Sequence, residues 1–174
     1  MHSHPLFSSI QDLLHSYKPK TTKQQTYKEK FLQASLESCH RDFLNPGHFT
    51  ASGFVCTPNY SHAVLIFHPR FQKWIQPGGH LEASDSDIIS AAQREVQEES
   101  GLCNLSFSGQ LLLDVHHVPT TPKQTAHEHW DIQMLFLHPK TPLAGELRAQ
   151  WVQKAHAHTL QTDQSVLQFL AQLP

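Results

Sequence analysis

The chain lacks any hydrophobic run long enough to cross a bilayer. Its longest apolar stretches lie near residues 63–67 and 134–137, far short of the roughly 20 residues that a membrane-spanning helix needs. Residues 1–25 also lack a basic start followed by an apolar run, so no signal peptide is predicted. We therefore expect a cytoplasmic protein that does not bind membranes.

Cysteine and net charge are also scarce. The three cysteines, Cys39, Cys56 and Cys103, are far apart and form no CxxC pair, so the sequence indicates neither a zinc site nor a disulfide framework. A reducing compartment is the simplest interpretation. The formal net charge of −2 gives no reason to expect nucleic acid as a partner. Histidine, by contrast, is abundant, with 15 residues spread along the chain.

Two regions differ in their hydrophobic pattern. In residues 1–46 the apolar side chains recur at helical spacing, which predicts two helices, the second over Thr22–Phe43 with Leu36 on its packing face. Strand patterns begin near residue 47 and alternate with helical ones up to residue 174. The length of 174 residues suits one main domain. We expect a helical extension over 1–46, which packs on the sheet, forms a homodimer contact or covers the substrate, and a domain over 47–174.

The most informative stretch is residues 77–102. It opens with the turn residues Pro77-Gly78-Gly79, and Gly101 is a helix stop. Between them a helix is predicted over about Asp87–Ser100, with a capping box that starts at Ser84. Ile89, Ala92 and Val96 form its narrow apolar stripe.

Beside that stripe lie three carboxylates, Glu95, Glu98 and Glu99. Like charges at i+3 and i+4 repel, and the C-terminal end of a helix prefers cations. A solvated acidic face is the ordinary explanation of such a run. A bound divalent cation would remove the repulsion, because hard metals take carboxylate oxygens. We therefore favour a metal site.

The same residues resemble the Nudix box, written G-x5-E-x7-R-E-U-x-E-E-x-G-U, where U is aliphatic. Gly79 opens it, and residues 94–102, REVQEESGL, match its second half throughout. Two departures exist: Asp85 stands in place of the first glutamate, and eight residues separate it from Arg94. The G-G-H-x-E-x-x-D form resembles a bacterial subgroup that carries both changes.

The resemblance implies a Nudix α/β/α sandwich with a mixed β-sheet, preceded here by the helical segment. It also implies Mg²⁺ or Mn²⁺ as cofactor, held by Glu95, Glu98, Glu99 and the carbonyl of Gly78. Arg94 is expected to orient a glutamate, and Glu82 or one of the other glutamates to act as general base. Glu146 is a candidate distal carboxylate, although a solvated glutamate is the commoner case.

Substrate contacts are harder to place. His116 and His129 lie at the ends of two predicted strands, beside a polar loop, and either line the pocket or are ordinary loop residues. Trp74 precedes the glycine turn and is a candidate substrate contact or a core anchor. One or two strands are predicted over Leu105–Val115 before the loop, and one strand over Ile132–His138 after it.

Three functions remain open at this point. The first is a metal-dependent hydrolase that cleaves the diphosphate bond of a nucleoside diphosphate derivative or a related small pyrophosphate. The second is a non-catalytic Nudix-fold module that binds a nucleotide metabolite and regulates a partner. Isopentenyl diphosphate isomerisation, also known on this fold, would need a reactive cysteine such as Cys56. The intact set of repelling glutamates favours the hydrolase.

Overall fold

The computed structural model describes residues 4–174. Within that range the elements are α1 (Pro5–Ser16), α2 (Thr22–Leu32), β1 (Gly47–Cys56), β2 (His62–His68), β3 (Lys73–Ile75), β4 (Gly78–His80), α3 (Ile88–Ser100), β5 (Ser106–Val118), β6 (His127–Leu137), β7 (Ala149–Gln153) and α4 (Gln164–Ala171). Short 3-10 turns occur at Leu36–Cys39 and Lys154–Thr159. None of the helices in this part of the chain combines the length and apolarity needed to span a bilayer.

The strands form one sheet with the order β3-β2-β1-β6-β5, in which β4 pairs with β1 and β7 pairs with β2. The pairing of β2 with β7 is antiparallel and runs from His62 opposite Gln153 to Ile66 opposite Ala149. Strand β5 therefore ends the sheet on one side. The predicted fold class, a mixed sheet with helices beside it and an N-terminal helical segment, is confirmed.

By its internal contacts the chain divides into two compact units. The first contains the described residues up to Ala51, together with Gly79–Ala91 and Leu111–Gln133. The second contains Ser52–Gly78, Ala92–Gln110 and Met134–Pro174. Each unit has its own set of buried apolar side chains, described in turn below.

An aromatic cluster fastens α2 within the first unit. Phe31, which is fully buried, stacks on Trp130 with ring centroids 5.9 Å apart and meets Phe49 edge-on at 5.6 Å. Helix α1 buries Leu6, Ile10 and Leu14 on one face, in agreement with their helical spacing. The N-terminal helices are thus part of a packed core.

One side chain of α2 bonds directly to the backbone of β5. The Gln24 side-chain amide donates from Nε2 to the carbonyl of Leu113 at 2.7 Å, and its Oε1 accepts from the Leu113 N–H at 2.9 Å. The Tyr17 hydroxyl donates to the same oxygen at 2.6 Å. Both backbone groups of Leu113 are therefore satisfied by a side chain from outside the sheet.

The core of the second unit joins α3 and α4 to strands. Phe54 of β1 stacks on Phe169 of α4, with ring centroids 3.8 Å apart. Gly53 lies against Val96 of α3, because a Cβ at Gly53 would come within 2.3 Å of the Val96 Cγ2 atom. The absence of a side chain at residue 53 is thus what lets α3 approach β1 so closely.

Three element boundaries differ from the sequence prediction. Helix α2 ends at Leu32, because the N–H groups of Gln33 and Ala34 bond i→i+3 and tighten its last turn. Leu36 consequently leaves the predicted packing face and is 40% exposed. Strand β6 begins at His127, where the backbone of Glu128 bonds to the Pro46 carbonyl at 3.0 Å. The segment after α3 forms a single strand, β5, which ends at Val118 instead of the predicted Val115.

Candidate active site

Helix α3 is capped at both ends by its own sequence. Asp87 Oδ1 accepts a hydrogen bond from the Ser90 N–H at 2.8 Å, and Ser90 Oγ accepts from the Asp87 N–H at 3.1 Å. This reciprocal pair is the N-terminal cap, so the predicted capping box starting at Ser84 is wrong. Gly101, at φ +80°, closes the other end by donating to the Gln97 carbonyl at 2.9 Å.

The buried stripe of α3 is shifted by one residue from the prediction at its start. Ile88, Ala92 and Val96 are buried, whereas Ile89 is only partly covered. The rest of the helix keeps its predicted orientation, so Glu95, Glu98 and Glu99 lie beside the buried stripe.

Arg94 joins two of these carboxylates. Its Nη1 donates to Glu95 Oε1 at 2.8 Å and to Glu98 Oε2 at 3.2 Å. The Glu95 side chain is 12% exposed, whereas that of Glu98 is 44% exposed. One guanidinium thus offsets part of the repulsion and sets the direction of both side chains.

Glu99 is the most enclosed of the three. Burial raises its pKa to about 7, and the charges of Glu95, Glu98 and Glu146 act in the same direction. Its Oε2 accepts a hydrogen bond at 2.9 Å from the N–H of Gly78, which opposes that rise. The glycine turn and the helix are therefore in direct contact at the predicted ligands Gly78 and Glu99.

A loop over residues 144–147 covers the C-terminal end of α3. The N–H groups of Ala144, Glu146 and Leu147 donate to the carbonyls of Ser100, Glu98 and Glu99, at 3.0, 2.7 and 3.3 Å respectively. These carbonyls have no partner inside the helix, so the loop satisfies them. There is no room for a side chain at Gly145, whose added Cβ would lie 2.3 Å from the Glu99 carbonyl carbon.

A cavity of about 550 Å³ opens beside this loop and helix. It is lined by Arg94, Gln97, Glu98, Ala144, Gly145 and Glu146. Glu146, which the sequence alone could not separate from a solvated glutamate, thus shares the cavity with Glu98. The acidic groups in and beside this cavity offer carboxylate oxygens, the donors that Mg²⁺ and Mn²⁺ prefer. The residues present therefore fit a hard divalent cation.

Two acidic residues of the box lie in the loop before α3. Asp85 is buried, and its Oδ2 accepts from the Glu82 N–H at 2.8 Å. Glu82 is exposed, and its side chain accepts a hydrogen bond from Ser84 Oγ at 3.3 Å. Asp85 thus closes the turn in which Glu82 is displayed.

His116 lies beside two carboxylates in the first unit. Its Nε2 is 3.5 Å from Asp114 Oδ2 and 3.9 Å from Asp131 Oδ2. Asp131 is buried and also accepts hydrogen bonds from Thr50 and Gln133. The side chain of His116 is 42% exposed, so solutes can reach the imidazole.

His129 lies in a group of four imidazoles, which we call the histidine cluster: His48, His80, His127 and His129. The ring centroids of His48, His80 and His129 lie 4.8 to 5.1 Å apart. Burial lowers the pKa of His80 to about 4 and that of His129 to about 3, and neighbouring imidazoles act in the same direction. Both rings are therefore neutral at pH 7. Neither His48 nor His80 was predicted as a site residue from the sequence, because no spacing links them to His129.

Trp74 and Cys56, the other two candidate residues, are both buried. Trp74 is 8% exposed, and its ring packs edge-on against Phe67 and beneath the guanidinium of Arg148. This environment favours its role as a core anchor. Cys56 is buried, and burial raises its pKa to about 12. Such a thiol is a poor nucleophile or proton donor, which argues against the isomerase alternative.

Comparison with known proteins gives matches of two kinds. A profile of the NUDIX domain matches residues 47–169. No curated protein sequence matches the chain. Among solved structures, the chain is similar to the E. coli dihydroneopterin triphosphate pyrophosphohydrolase, with a TM-score of 0.54 and 15% identity over 72% of this chain and 93% of that one.

Two further structures resemble the chain. The NUDIX domain of Shewanella oneidensis NrtR, complexed with ADP ribose, has a TM-score of 0.52 and 15% identity over 92% of this chain and 94% of that one. The MutT of Aliivibrio salmonicida and Vibrio cholerae has a TM-score of 0.50 and 20% identity over 72% of this chain and 98% of that one. At these identities the similarity shows a shared fold.

Proposed function

The chain belongs to the Nudix family and is a hydrolase that acts on pyrophosphate bonds, and from this premise we propose its substrate class and its cofactor. The substrate is a nucleoside diphosphate derivative or a related small pyrophosphate, and the cofactor is Mg²⁺ or Mn²⁺. The observation that carries the proposal is the convergence of Arg94, Glu98 and Glu146 on one cavity, with Glu95 and Glu99 beside it.

The cofactor site uses the carboxylates of α3. Glu95, Glu98 and Glu99 would hold the ions, with the Gly78 carbonyl as a further ligand, and Glu146 would add a carboxylate from the loop. Bound divalent ions supply positive charge that polarises phosphoryl oxygens and lowers the pKa of water. Bound ions would also remove the repulsion among the three glutamates. A module that only binds metabolites would have no reason to keep three carboxylates that repel one another.

The remaining residues position these groups. Arg94 orients Glu95 and Glu98, since its guanidinium contacts both. The general base is Glu82 or one of the α3 glutamates, which takes the proton of the attacking water. Cleavage then proceeds by attack of water in line at one phosphorus, with the other phosphate as the leaving group.

The two similar structures with named small molecules guide the choice of substrates. Dihydroneopterin triphosphate is hydrolysed by one of these proteins, and ADP ribose is bound in the other. Both molecules carry linked phosphates on a small organic group. We therefore propose a substrate panel of nucleotide sugars, ADP ribose, dinucleoside polyphosphates, NADH, dNTPs and dihydroneopterin triphosphate.

The test is a hydrolysis assay of this panel in Mg²⁺ and in Mn²⁺, with product analysis in water labelled with oxygen-18. We expect cleavage of at least one phosphoanhydride, dependence on the divalent ion, and one labelled oxygen in one phosphate product. Label in a hydroxyl group of the organic moiety, with the linked phosphates released intact, would mean attack at carbon. Absence of cleavage across the panel with either ion would contradict the proposed substrate class.

His116 is proposed as a phosphate contact. The side chain of His116 is 42% exposed, and a ring N–H can donate a hydrogen bond to a phosphate oxygen. The variant His116→Ala is expected to raise KM by about tenfold, the scale of one charge-assisted hydrogen bond, with a smaller change in kcat. Steady-state kinetics on the best substrate measures both. The neighbouring variant His117→Ala is the control, because that side chain is 81% exposed. A fall in kcat at unchanged KM would contradict the assignment.

We further propose that residues 1–46 are an extension of the Nudix domain over 47–174 and that they help to select the substrate. Removal of residues 1–44 takes away Phe31 and uncovers Phe49 and Trp130. We expect the truncated chain to scatter more light at equal concentration and to discriminate less among substrates, while still requiring Mg²⁺. Light scattering and the substrate panel, with the full chain as control, test this. A monodisperse truncation of unchanged selectivity would show that the segment is dispensable.

A further inference from the structure

The histidine cluster is built from three strands of the first unit. His48 comes from β1, His80 from β4, and His127 and His129 from β6. Each of the residues His48, His80 and His129 can offer one ring nitrogen. These three nitrogens lie within 4.8 Å of one another. Three imidazoles from distant parts of the sequence thus converge on one point, which hydrophobic packing alone does not require.

One ring nitrogen of His48 is buried without a hydrogen-bonding partner among the described residues. The Nδ1 of His48 lies 3.1 Å from the Phe43 carbonyl, and a carbonyl only accepts, so Nδ1 carries the hydrogen. The Nε2 atom then has a free lone pair. It is buried and has no hydrogen-bonding partner among residues 4–174, and the residue is 1% exposed. Buried polar atoms are seldom left in this state, so the lone pair points to a missing partner.

His127 orients His129 in the same cluster. The Nδ1 of His127 lies 2.8 Å from the Thr125 carbonyl, so that nitrogen is the donor and Nε2 has the lone pair. Nε2 of His129 lies 3.3 Å away from it and donates to it. Metal-binding histidines are typically held by a hydrogen bond from their second ring nitrogen, and the Nδ1 of His48 has such a bond as well.

We propose that His48, His80 and His129 bind one divalent transition-metal ion, with Zn²⁺ the best match, and that His127 is a positioning residue. Neutral imidazole is a preferred ligand of Zn²⁺, whereas Mg²⁺ takes oxygen donors. Zinc binds nitrogen at about 2.0–2.1 Å, which separates ligand nitrogens on a tetrahedral ion by about 3.4 Å. The three ligand nitrogens lie within 4.8 Å of one another, so the rings would move closer together to bind the ion. Three protein ligands leave the fourth position for water or another small ligand.

This site is different in chemistry from the carboxylate site of α3. The histidines offer nitrogen, and the α3 site offers oxygen, so the two prefer different ions. His80 directly follows the Gly78-Gly79 turn and ends β4. An ion at the cluster would fasten that end to β1 and β6 and hold the start of the loop that contains Glu82. The proposal does not depend on the proposed substrate or cofactor.

The test uses the full chain, freed of metal by a chelator and titrated with Zn²⁺ in excess Mg²⁺. Excess Mg²⁺ occupies oxygen sites but does not compete for imidazole. We expect one Zn²⁺ bound per chain by equilibrium dialysis. His80→Ala and His129→Ala are expected to weaken it by at least about 100-fold, since even loss of a positioning partner weakens metal sites by about 10–100-fold. His117→Ala, an exposed histidine outside the cluster, should bind as the parent does.

A second variant separates the two sites. Glu98→Gln removes a carboxylate of α3 and should leave the Zn²⁺ affinity of the histidine cluster unchanged. If Glu98→Gln abolishes Zn²⁺ binding while His80→Ala does not, the ion sits on α3 and the proposal is wrong. Absence of any stoichiometric Zn²⁺ binding in excess Mg²⁺ also overturns it.

A spectroscopic measurement on the unaltered protein keeps the proposal testable if a histidine variant fails to fold. X-ray absorption of the Zn²⁺-loaded chain should show imidazole nitrogen scatterers at about 2.0–2.1 Å. A first shell made of oxygen alone would overturn the assignment. Circular dichroism of each variant checks that it is folded before its affinity is compared.

Discussion

Replacing Glu98 with glutamine is expected to lower kcat by at least about 100-fold, as the loss of a metal ligand should. Glu98 is the α3 glutamate that lines the cavity, and its side chain is 44% exposed. The change keeps the shape of the side chain and removes its charge, so the fold should persist. Turnover under saturating Mg²⁺ on the best substrate measures the effect.

The same variant should barely alter the stability of the metal-free protein. It relieves repulsion with Glu95 but also removes the ion pair with Arg94, and each effect is about 0.2–0.5 kcal/mol. Gln97→Ala is a matched control, because Gln97 lies on the same helix and lines the same cavity without charge. Wild-type turnover of Glu98→Gln at saturating Mg²⁺ would show that the metal site is wrongly assigned.

Placing a methyl group at Gly145 should damage both stability and activity. The new Cβ would lie 2.3 Å from the backbone of Glu99 and Ser100, which cannot move aside as a flexible side chain could. Overpacking of this kind costs about 1–3 kcal/mol in the free energy of unfolding. If the loop instead moves away from α3, the carbonyls of Glu98 and Glu99 lose their partners and Glu146 leaves the cavity.

Urea unfolding and steady-state kinetics in Mg²⁺ together measure this prediction. We expect Gly145→Ala to lower the unfolding midpoint and to reduce kcat/KM by about tenfold or more, since small misplacements of catalytic groups are costly. Thr141→Ala in the same connection is the control, because Thr141 is exposed and is bonded to Trp151 through its backbone carbonyl. A fully stable and active Gly145→Ala would mean that the loop does not hold the end of α3.

The fold could be predicted most accurately from the sequence where several local signals agree. In residues 77–102 the glycine turn, the apolar stripe and the helix stop all pointed to the same element, and α3 differs from the prediction by about one residue. Where one signal stood alone, the prediction failed. Helical spacing up to Leu36 suggested that α2 extends to Phe43, but the backbone hydrogen bonds of Gln33 and Ala34 end that helix at Leu32.

The candidate site shows the same limit. Glu95, Glu98 and Glu99 are neighbours on one helix, so their spacing alone brings them together. Glu146 and the histidine cluster depend on tertiary contacts between residues far apart in the chain. Nothing in the local sequence around His48 or His80 predicts that their rings meet, because sheet pairing decides it.

The contact between Gln24 and Leu113 affects how this protein can associate with other chains. The last strand of a sheet presents unpaired amide and carbonyl groups, which can recruit a strand from another chain and begin aggregation. At Leu113 both groups already bond to the Gln24 amide, which takes the place that a neighbouring strand would occupy. An intermolecular strand could add here only by first displacing α2. The N-terminal segment thus blocks β-augmentation at this position of β5.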